Sequence, residues 1–375
     1  MPKIVNHSYW ENKFLFKKYD LIVVGSGIVG LSTAISFKQK NKKASVLILE
    51  RGILPAGAST KNAGFACFGS VSELLDDLTK MPEETVWKTV EMRWKGLELL
   101  RTRLGDKNMG YKDLGGFELF DKEKKFGSCS EKIDTLNKKI KKTLGLKNCY
   151  SIVAPKNLYF KNISGIIKNH YEGQIDTSLM MTNLIGMAHK LGIIILNTTT
   201  IHKIKSLKNS VDLLSDLGVF KASKVVVATN GFAKQLLNLP DVQPARAQVL
   251  ITKPIKNLKI KGTFHYQEGY YYFRNIDNRI LFGGGRNLDF KGETTTELEL
   301  NNKIQKHLDK LLKEMILPET AFEIDQRWSG IMGVGSEKKP IIKLVQPNVL
   351  AAVRMGGMGI AIGSLVGEQA AKEIS

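Results

Sequence analysis

The order of apolar and polar positions divides the chain into short strands and amphipathic helices. Residues 21–24 (Leu-Ile-Val-Val) form an unbroken apolar run between Asp20 and Gly25, as a parallel strand buried on both faces requires. A helical run follows through Ile35 and Phe37, and a second apolar strand is predicted over residues 45–49. Further along, a helix ending near Gly192 leads into a strand over 193–197, and residues 224–228 read as another strand. A strand over 349–353, a Gly-rich turn and an apolar helix starting near Gly359 close the series. Other segments have a different character. Ile133, Leu136, Ile140 and Leu144 make an apolar stripe at helical spacing, with lysines on the remaining faces. Residues 270–274 and 279–282 flank Asp277-Asn278, which predicts a hairpin. Period two then puts Tyr270, Tyr272 and Arg274 on one face.

Length and composition set bounds on this pattern. The 375 residues suggest two domains at about 150 residues each. With 43% hydrophobic and 25% charged residues, the chain is an ordinary globular protein, so disorder, collagen and mini-protein readings fall away. Cys67, Cys129 and Cys149 are too few and too scattered for a disulfide framework, and no Cys/His spacing suggests a metal. The first 20 residues lack the apolar core of a signal peptide, and no run approaches the roughly 18 residues of a membrane span. A soluble, cytoplasmic protein is the expectation. The formal charge of +20 invites a nucleic-acid or anionic-surface reading. Residues 121–147 hold nine lysines against four acids, but aromatics are not interleaved with them as in a single-strand binding groove. Nucleic acid is therefore not the expected partner.

The chemistry begins where the first strand ends. Gly25-x-Gly27-x-x-Gly30 links that strand to the helix. Gly25 permits the tight turn, Gly27 lets backbone approach a pyrophosphate, and Gly30 lets helix and strand pack closely. The helix N-terminus offers free N–H groups to phosphate. The second strand ends in Glu50, 20 residues beyond Gly30, where a carboxylate can hold ribose hydroxyls. Arg51 follows, and then a run poor in bulky side chains: Gly57-Ala58-Ser59-Thr60-Lys61-Asn62-Ala63-Gly64. Such a run can lie flat against a large planar ligand, which points to a flavin dinucleotide rather than a nicotinamide one.

These residues resemble the D-amino-acid oxidase-like (DAO) superfamily of FAD-dependent oxidoreductases, which includes glycine oxidase, sarcosine oxidase and gamma-glutamylputrescine oxidoreductase. The stretch 57–64 is most similar to the last of these, as is Arg279-Ile-Leu-Phe-Gly-Gly-Gly-Arg286. The resemblance implies an α/β chain (α+β overall). A Rossmann-like FAD-binding domain would come from residues 1–80, 172–240 and 325–375, and a discontinuous antiparallel-sheet substrate domain from 81–171 and 241–324. It implies that Ile201 holds the adenine through its backbone and that Ala228, Thr229 and Gly231 close over the AMP half. Gly356, Gly357, Met358, Gly359 and Ile360 would aim a helix N-terminus at the flavin, with Gly25, Gly27, Ile28, Gly30, Glu50, Arg51, Ala58, Ser59, Lys61, Asn62, Ala63 and Gly64 completing the FAD site.

The same resemblance implies oxidation of the C–N bond of an amine or N-substituted amino acid by hydride transfer to flavin N5, giving an imine that hydrolyses. Tyr270, Tyr272 and Arg274 are the candidate catalytic residues, and His265 and His170 are further polar candidates. Oxidation of a 2-hydroxy acid or polyol phosphate on the same fold is the alternative reaction, and a nucleic-acid-binding flavoprotein is the alternative class. Two departures stand out. The family's carboxylate-clamping arginine falls where this chain has Met332, and a flavin-linking cysteine falls near Ile331. FAD is thus expected to be noncovalent, with Cys67 as the one thiol near the flavin run. Arg274, Arg286 and Lys61 are left as replacement clamps. Oxygen or a membrane quinone is the expected electron acceptor, and loose contact with an anionic membrane goes with the second. The oxygen-activating lysine of sarcosine oxidase has no counterpart in residues 279–285, which favours a dehydrogenase.

Overall fold

A computed structural model describes residues 6–154 and 160–375. Two eight-stranded sheets organise it. The first is built from the apolar runs: five parallel strands in the order Val349–Val353, Gly218–Val227, Lys18–Val24, Val46–Leu49 and Ile194–Leu196. Ile341–Gln346 is added antiparallel at one edge. The strands Ile201–Ser206 and Val211–Ser215 branch antiparallel from the first half of Gly218–Val227. The central strands end in apolar runs, residues 21–24 and 225–227, because both faces are covered there. Leu21 and Val23 point into one core, with the helices Ile28–Lys40, Thr177–Lys190 and Gly359–Ile374. Ile22 and Val24 point into the other.

The helix Ile28–Lys40 is buried continuously from Ile28 to Phe37. The helix Gly359–Ile374 lies so close to it that a Cβ on Gly363 would reach 2.8 Å from the Ile28 side chain, and one on Gly367 would reach 2.7 Å from the Val29 carbonyl oxygen. The helix Glu83–Leu104 packs into the same core through Leu97, Leu100 and Leu104, although its residues fall in the segment 81–171 assigned by sequence to the other domain.

The second sheet runs Ile324–Val334, Gln243–Thr252, Arg279–Gly284, Tyr271–Ile276, Thr263–Tyr266, Gly116–Phe120, Gly165–Asn169, Tyr150–Val153. Every pairing is antiparallel except Thr263–Tyr266 on Gly116–Phe120. The predicted hairpin is present, with Asp277 and Asn278 at φ 48° and 56°, the left-handed pair of a type I′ turn. Ile324–Val334 pairs along its length with Gln243–Thr252. Its hydrogen bonds therefore tie it to the second sheet, whereas the sequence division put 325–375 with the first. The helix Ile133–Leu144 buries Ile133, Leu136 and Ile140 and leaves Lys138, Lys141 and Lys142 in solvent. No helix among the described residues is long and apolar enough to cross a membrane.

Candidate functional site

A cavity of about 810 Å³ begins at the carboxyl ends of the central parallel strands, where Val24, Leu49 and Ala228 border it, and extends to the second sheet. In doubly wound sheets this edge is where ligands bind. Gly25 turns the chain at φ 100°. Gly27 then caps the following helix with no side chain, and a Cβ there would lie 2.8 Å from Ser59 Oγ. The Ile28 N–H donates to that hydroxyl at 3.0 Å, so the small-residue loop docks on the helix start. Glu50 is buried at the rim. Its Oε2 accepts from the Ser26 N–H (3.0 Å) and hydroxyl (2.8 Å), and its Oε1 from the Gly52 N–H (3.0 Å). The Arg51 guanidinium lies 3.8 Å above the Phe232 ring. Thr229 Oγ1 is buried beside the cavity without a hydrogen-bond partner among the described residues. A glycine cradle, a helix N-terminus, a fixed carboxylate and an orphaned hydroxyl along one trough suit a dinucleotide.

The helix Gly359–Ile374 also starts at the cavity, with Met358 as an N-cap that makes no side-chain bond, and its positive dipole end faces it. The turn before it carries Arg354, Gly356 and Gly357 at φ 68°, 57° and 82°. Asn230 fixes that turn: its Oδ1 accepts from the backbone N–H groups of Arg354 and Met355, each at 3.1 Å. Phe65, on the short strand Phe65–Ala66, and Tyr272 and His265 from the second sheet border the cavity, with Phe65 edge-on to both rings. Burial pushes the Tyr272 phenol up to about 12. Arg286 borders the cavity with its Nε buried and unpartnered among the described residues. Burial lowers its pKa, against the pull of Tyr270 and Glu293.

A charged cluster closes one wall. Glu73 accepts from both Arg93 Nη atoms at 3.2 Å and from Lys338 Nζ at 3.0 Å. Burial alone would raise its carboxyl, but the two cations prevail and hold it at about 2. Lys338 also bridges to Asp77 at 2.7 Å, where burial dominates and the carboxyl is raised. Altogether six cationic and six acidic side chains border the cavity. The excess positive charge of the chain therefore lies elsewhere.

Most residues expected to bind the cofactor line the cavity, including Glu50, Arg51, Lys61, Asn62, Ile201, Thr229 and the turn from Gly356 to Ile360. Three glycines do not. Gly30 packs against the Gly25 carbonyl, Gly64 against the Ile175 carbonyl, where an added Cβ would come within 2.6 Å, and Gly231 against the Met332 carbonyl, so each serves close backbone packing behind the wall. Among the expected catalytic residues, Tyr272 is in the wall and Tyr270 is at its edge, outside the strand and 42% exposed. Arg274 does not reach the cavity. It is buried behind Gly64, and desolvation lowers its pKa to about 10. His170 is exposed and bonded to Ser151, away from the cavity. Cys67 borders the cavity as a thiol whose pKa is raised well above normal by burial and by Glu172 and Glu73. Sequence reasoning missed Phe65, Asn230, Glu73, Arg93 and Lys338. Nothing local connects Glu73 to Arg93, 20 residues away, or to Lys338, 265 residues away.

The sequence pattern of the family described as DAO, FAD dependent oxidoreductase, matches residues 20–373. The chain is 21% identical to the probable oxidoreductase OrdL of Haemophilus influenzae, across 95% of this chain and 82% of that one. It is 25% identical to a glycine oxidase of Geobacillus kaustophilus, across 71% and 70%. Among solved structures, L-proline dehydrogenase from P. horikoshii superposes with a TM-score of 0.75 at 19% identity, covering 96% of this chain and 94% of that one. Iminodiacetate oxidase from Chelativorans sp. BNC1 does so with a TM-score of 0.75 at 18% identity, covering 94% of each. These structures share the fold. The match runs along nearly the whole chain, from the glycine cradle to the helix Gly359–Ile374, and the protein belongs to the DAO family of FAD-dependent oxidoreductases.

Proposed function

We propose that this enzyme oxidises the C–N bond of a small amine or amino acid, with FAD held noncovalently between the two sheets. FAD, when bound, supplies the hydride acceptor. The first sheet and its helices form the cofactor half, and the second sheet roofs the substrate end. The cavity residues from Gly25 to Asn62, with Ile201, Thr229 and the turn Gly356 to Ile360, are the proposed FAD contacts. The observation that carries the substrate reading is Arg286 Nε, a guanidinium donor in the cavity wall without a partner among the described residues. A buried donor of this kind suits a carboxylate. It would take over the clamp that the arginine absent at Met332 would have supplied. Tyr272 and Phe65 supply the apolar wall that excludes water from the reacting carbon. The names of several relatives, among them glycine oxidase and L-proline dehydrogenase, support an amino-acid substrate.

An anaerobic screen of amines, amino acids and 2-hydroxy acids, read as loss of flavin absorbance, tests the proposal. Bleaching by amines or amino acids supports it. Bleaching by hydroxy acids alone decides for the other reaction. Adding oxygen or a soluble quinone to the bleached enzyme then identifies the acceptor.

A further inference from the structure

We infer that His265, backed by Glu172, takes the proton that a substrate ammonium group must lose before its C–N bond is oxidised. The inference rests on the amine reading above and adds the residue that prepares the substrate. His265 lies on Thr263–Tyr266 and borders the large cavity, with the Phe65 ring edge-on at 5.2 Å. Its Nε2 stands 3.3 Å from Glu172 Oε2. The pair is not aligned as a hydrogen bond, a looseness common in ligand-free sites. Glu172 is 1% exposed, and its other oxygen accepts from the backbone N–H groups of Phe68 (3.1 Å) and Gly69 (3.2 Å). This carboxylate therefore cannot swing away. A second cavity of about 10 Å³, bordered by His265, Glu172, Glu118 and Tyr150, lies behind the pair and has room for about one water.

A neutral ring with its proton on Nε2, toward Glu172, keeps a lone pair on Nδ1. In the proposed step the N–H bond of the ammonium breaks and its electron pair stays on nitrogen. The proton passes to Nδ1, and the imidazolium is stabilised by Glu172 until water carries the proton away. No oxidant or reductant is consumed. The groups facing the ring set its titration. Glu172, Glu118 and Glu73 favour the charged ring, the Cys67 thiol and Tyr272 phenol are neutral, and Arg93 is paired with Glu73. Burial alone would lower the His265 pKa, and the acids outweigh it and raise it. The proton-accepting form therefore grows in as pH rises through a value above the ordinary 6.5.

Cys67, Glu172 and His265 also bring ligand atoms within 4.8 Å of one another, a spacing a metal ion can use. The Arg93 cation near Cys67 and the thiol's hold on its proton oppose a dication there. The test compares wild-type holoenzyme with His265→Gln and Glu172→Gln. Ring NMR without substrate should show His265 titrating above 6.5, and Glu172→Gln should lower that value; an unchanged value overturns the proposal. At pH 7, His265→Gln should lower kcat/KM for an amine by about 100-fold or more, as loss of a general base does. At pH 10 a much larger share of the amine is already deprotonated in solution, and the loss should shrink to under about tenfold. An equal loss at every pH, in an active wild type, overturns the proton role alone. Zinc bound at one ion per chain and lost in Cys67→Ser also overturns it. A wild type that bleaches with no amine overturns the amine reading, and the proton role falls with it.

Discussion

Arg286 keeps one guanidinium nitrogen in a wall where no described residue can satisfy it, so its effect should depend on the substrate. Arg286→Ala should raise KM for carboxylate-bearing substrates by about 10–100-fold, since hydrogen bonds to charged groups contribute roughly 1.5–3 kcal/mol. Steady-state kinetics on an amino acid and its decarboxylated amine would check this, with the amine changing by less than about twofold. Glu73 shows the opposite case, a fully partnered charge. Its carboxyl is held at about 2, below the ordinary 4.5, by Arg93 and Lys338 against the effect of burial. The stabilisation is thus complete above pH 4.5 and disappears as pH falls through about 2. Glu73→Gln should cost roughly 2–4 kcal/mol at pH 7, because Arg93 is left buried without its partner. Urea unfolding at several pH values should show the difference narrowing below pH 4.5. Residue type left Arg286 as one of three replacement clamps and gave no sign of the Glu73 partnership. Period two grouped Arg274 with Tyr272 on one face, but that face is covered by the loop at Gly64, so one side chain meets the cavity and the other meets backbone.

Among elements, the packing of Gly359–Ile374 on Ile28–Lys40 fixes where two helix N-termini stand relative to each other. A Cβ on Gly367 would meet the Val29 carbonyl at 2.7 Å, and backbone cannot step aside cheaply. Gly367→Ala should destabilise by roughly 1–3 kcal/mol. It should also lower the flavin-to-protein ratio of the purified enzyme, because displacing the helix moves the Gly359 end. Gly186, in the helix Thr177–Lys190, has nothing within 4 Å of an added Cβ. Gly186→Ala should leave flavin content unchanged and raise stability by up to about 1 kcal/mol. Thermal unfolding of the two variants side by side separates close packing from helix propensity. The elements themselves were largely legible. Apolar runs of strand length, the glycine turn and the Asp277-Asn278 hairpin are local signals, and each is present. Sheet membership was not local. Ile324–Val334 joins the second sheet through hydrogen bonds to residues some 80 positions earlier in the chain.

For the whole molecule, the +20 charge and the cavity are separate matters. The cavity is bordered by equal numbers of acidic and basic side chains, while lysines such as Lys138, Lys141 and Lys142 project from the outer face of a helix. Exposed charges are screened beyond about 8 Å at physiological salt. Raising NaCl from about 20 to 300 mM should therefore change KM for a zwitterionic amino acid by less than about twofold. A tenfold rise would show that the excess charge steers the substrate. A dinucleotide cofactor was legible in the sequence alone, because the spacing of Gly25, Gly27, Gly30 and Glu50 lies within one βαβ unit, and the small-residue run 57–64 pointed to a flavin. The sequence also determined the strands and the hairpin, since periodicity and turn chemistry are properties of adjacent residues. The tertiary fold, not the local sequence, sets which charged side chains reach the cavity. It made Arg286 and His265 wall residues, put Arg274 behind the wall, and joined Glu73 to Arg93 and Lys338. Those outcomes depend on contacts between distant segments, and a side chain's chemistry follows from the burial and partners it finds there.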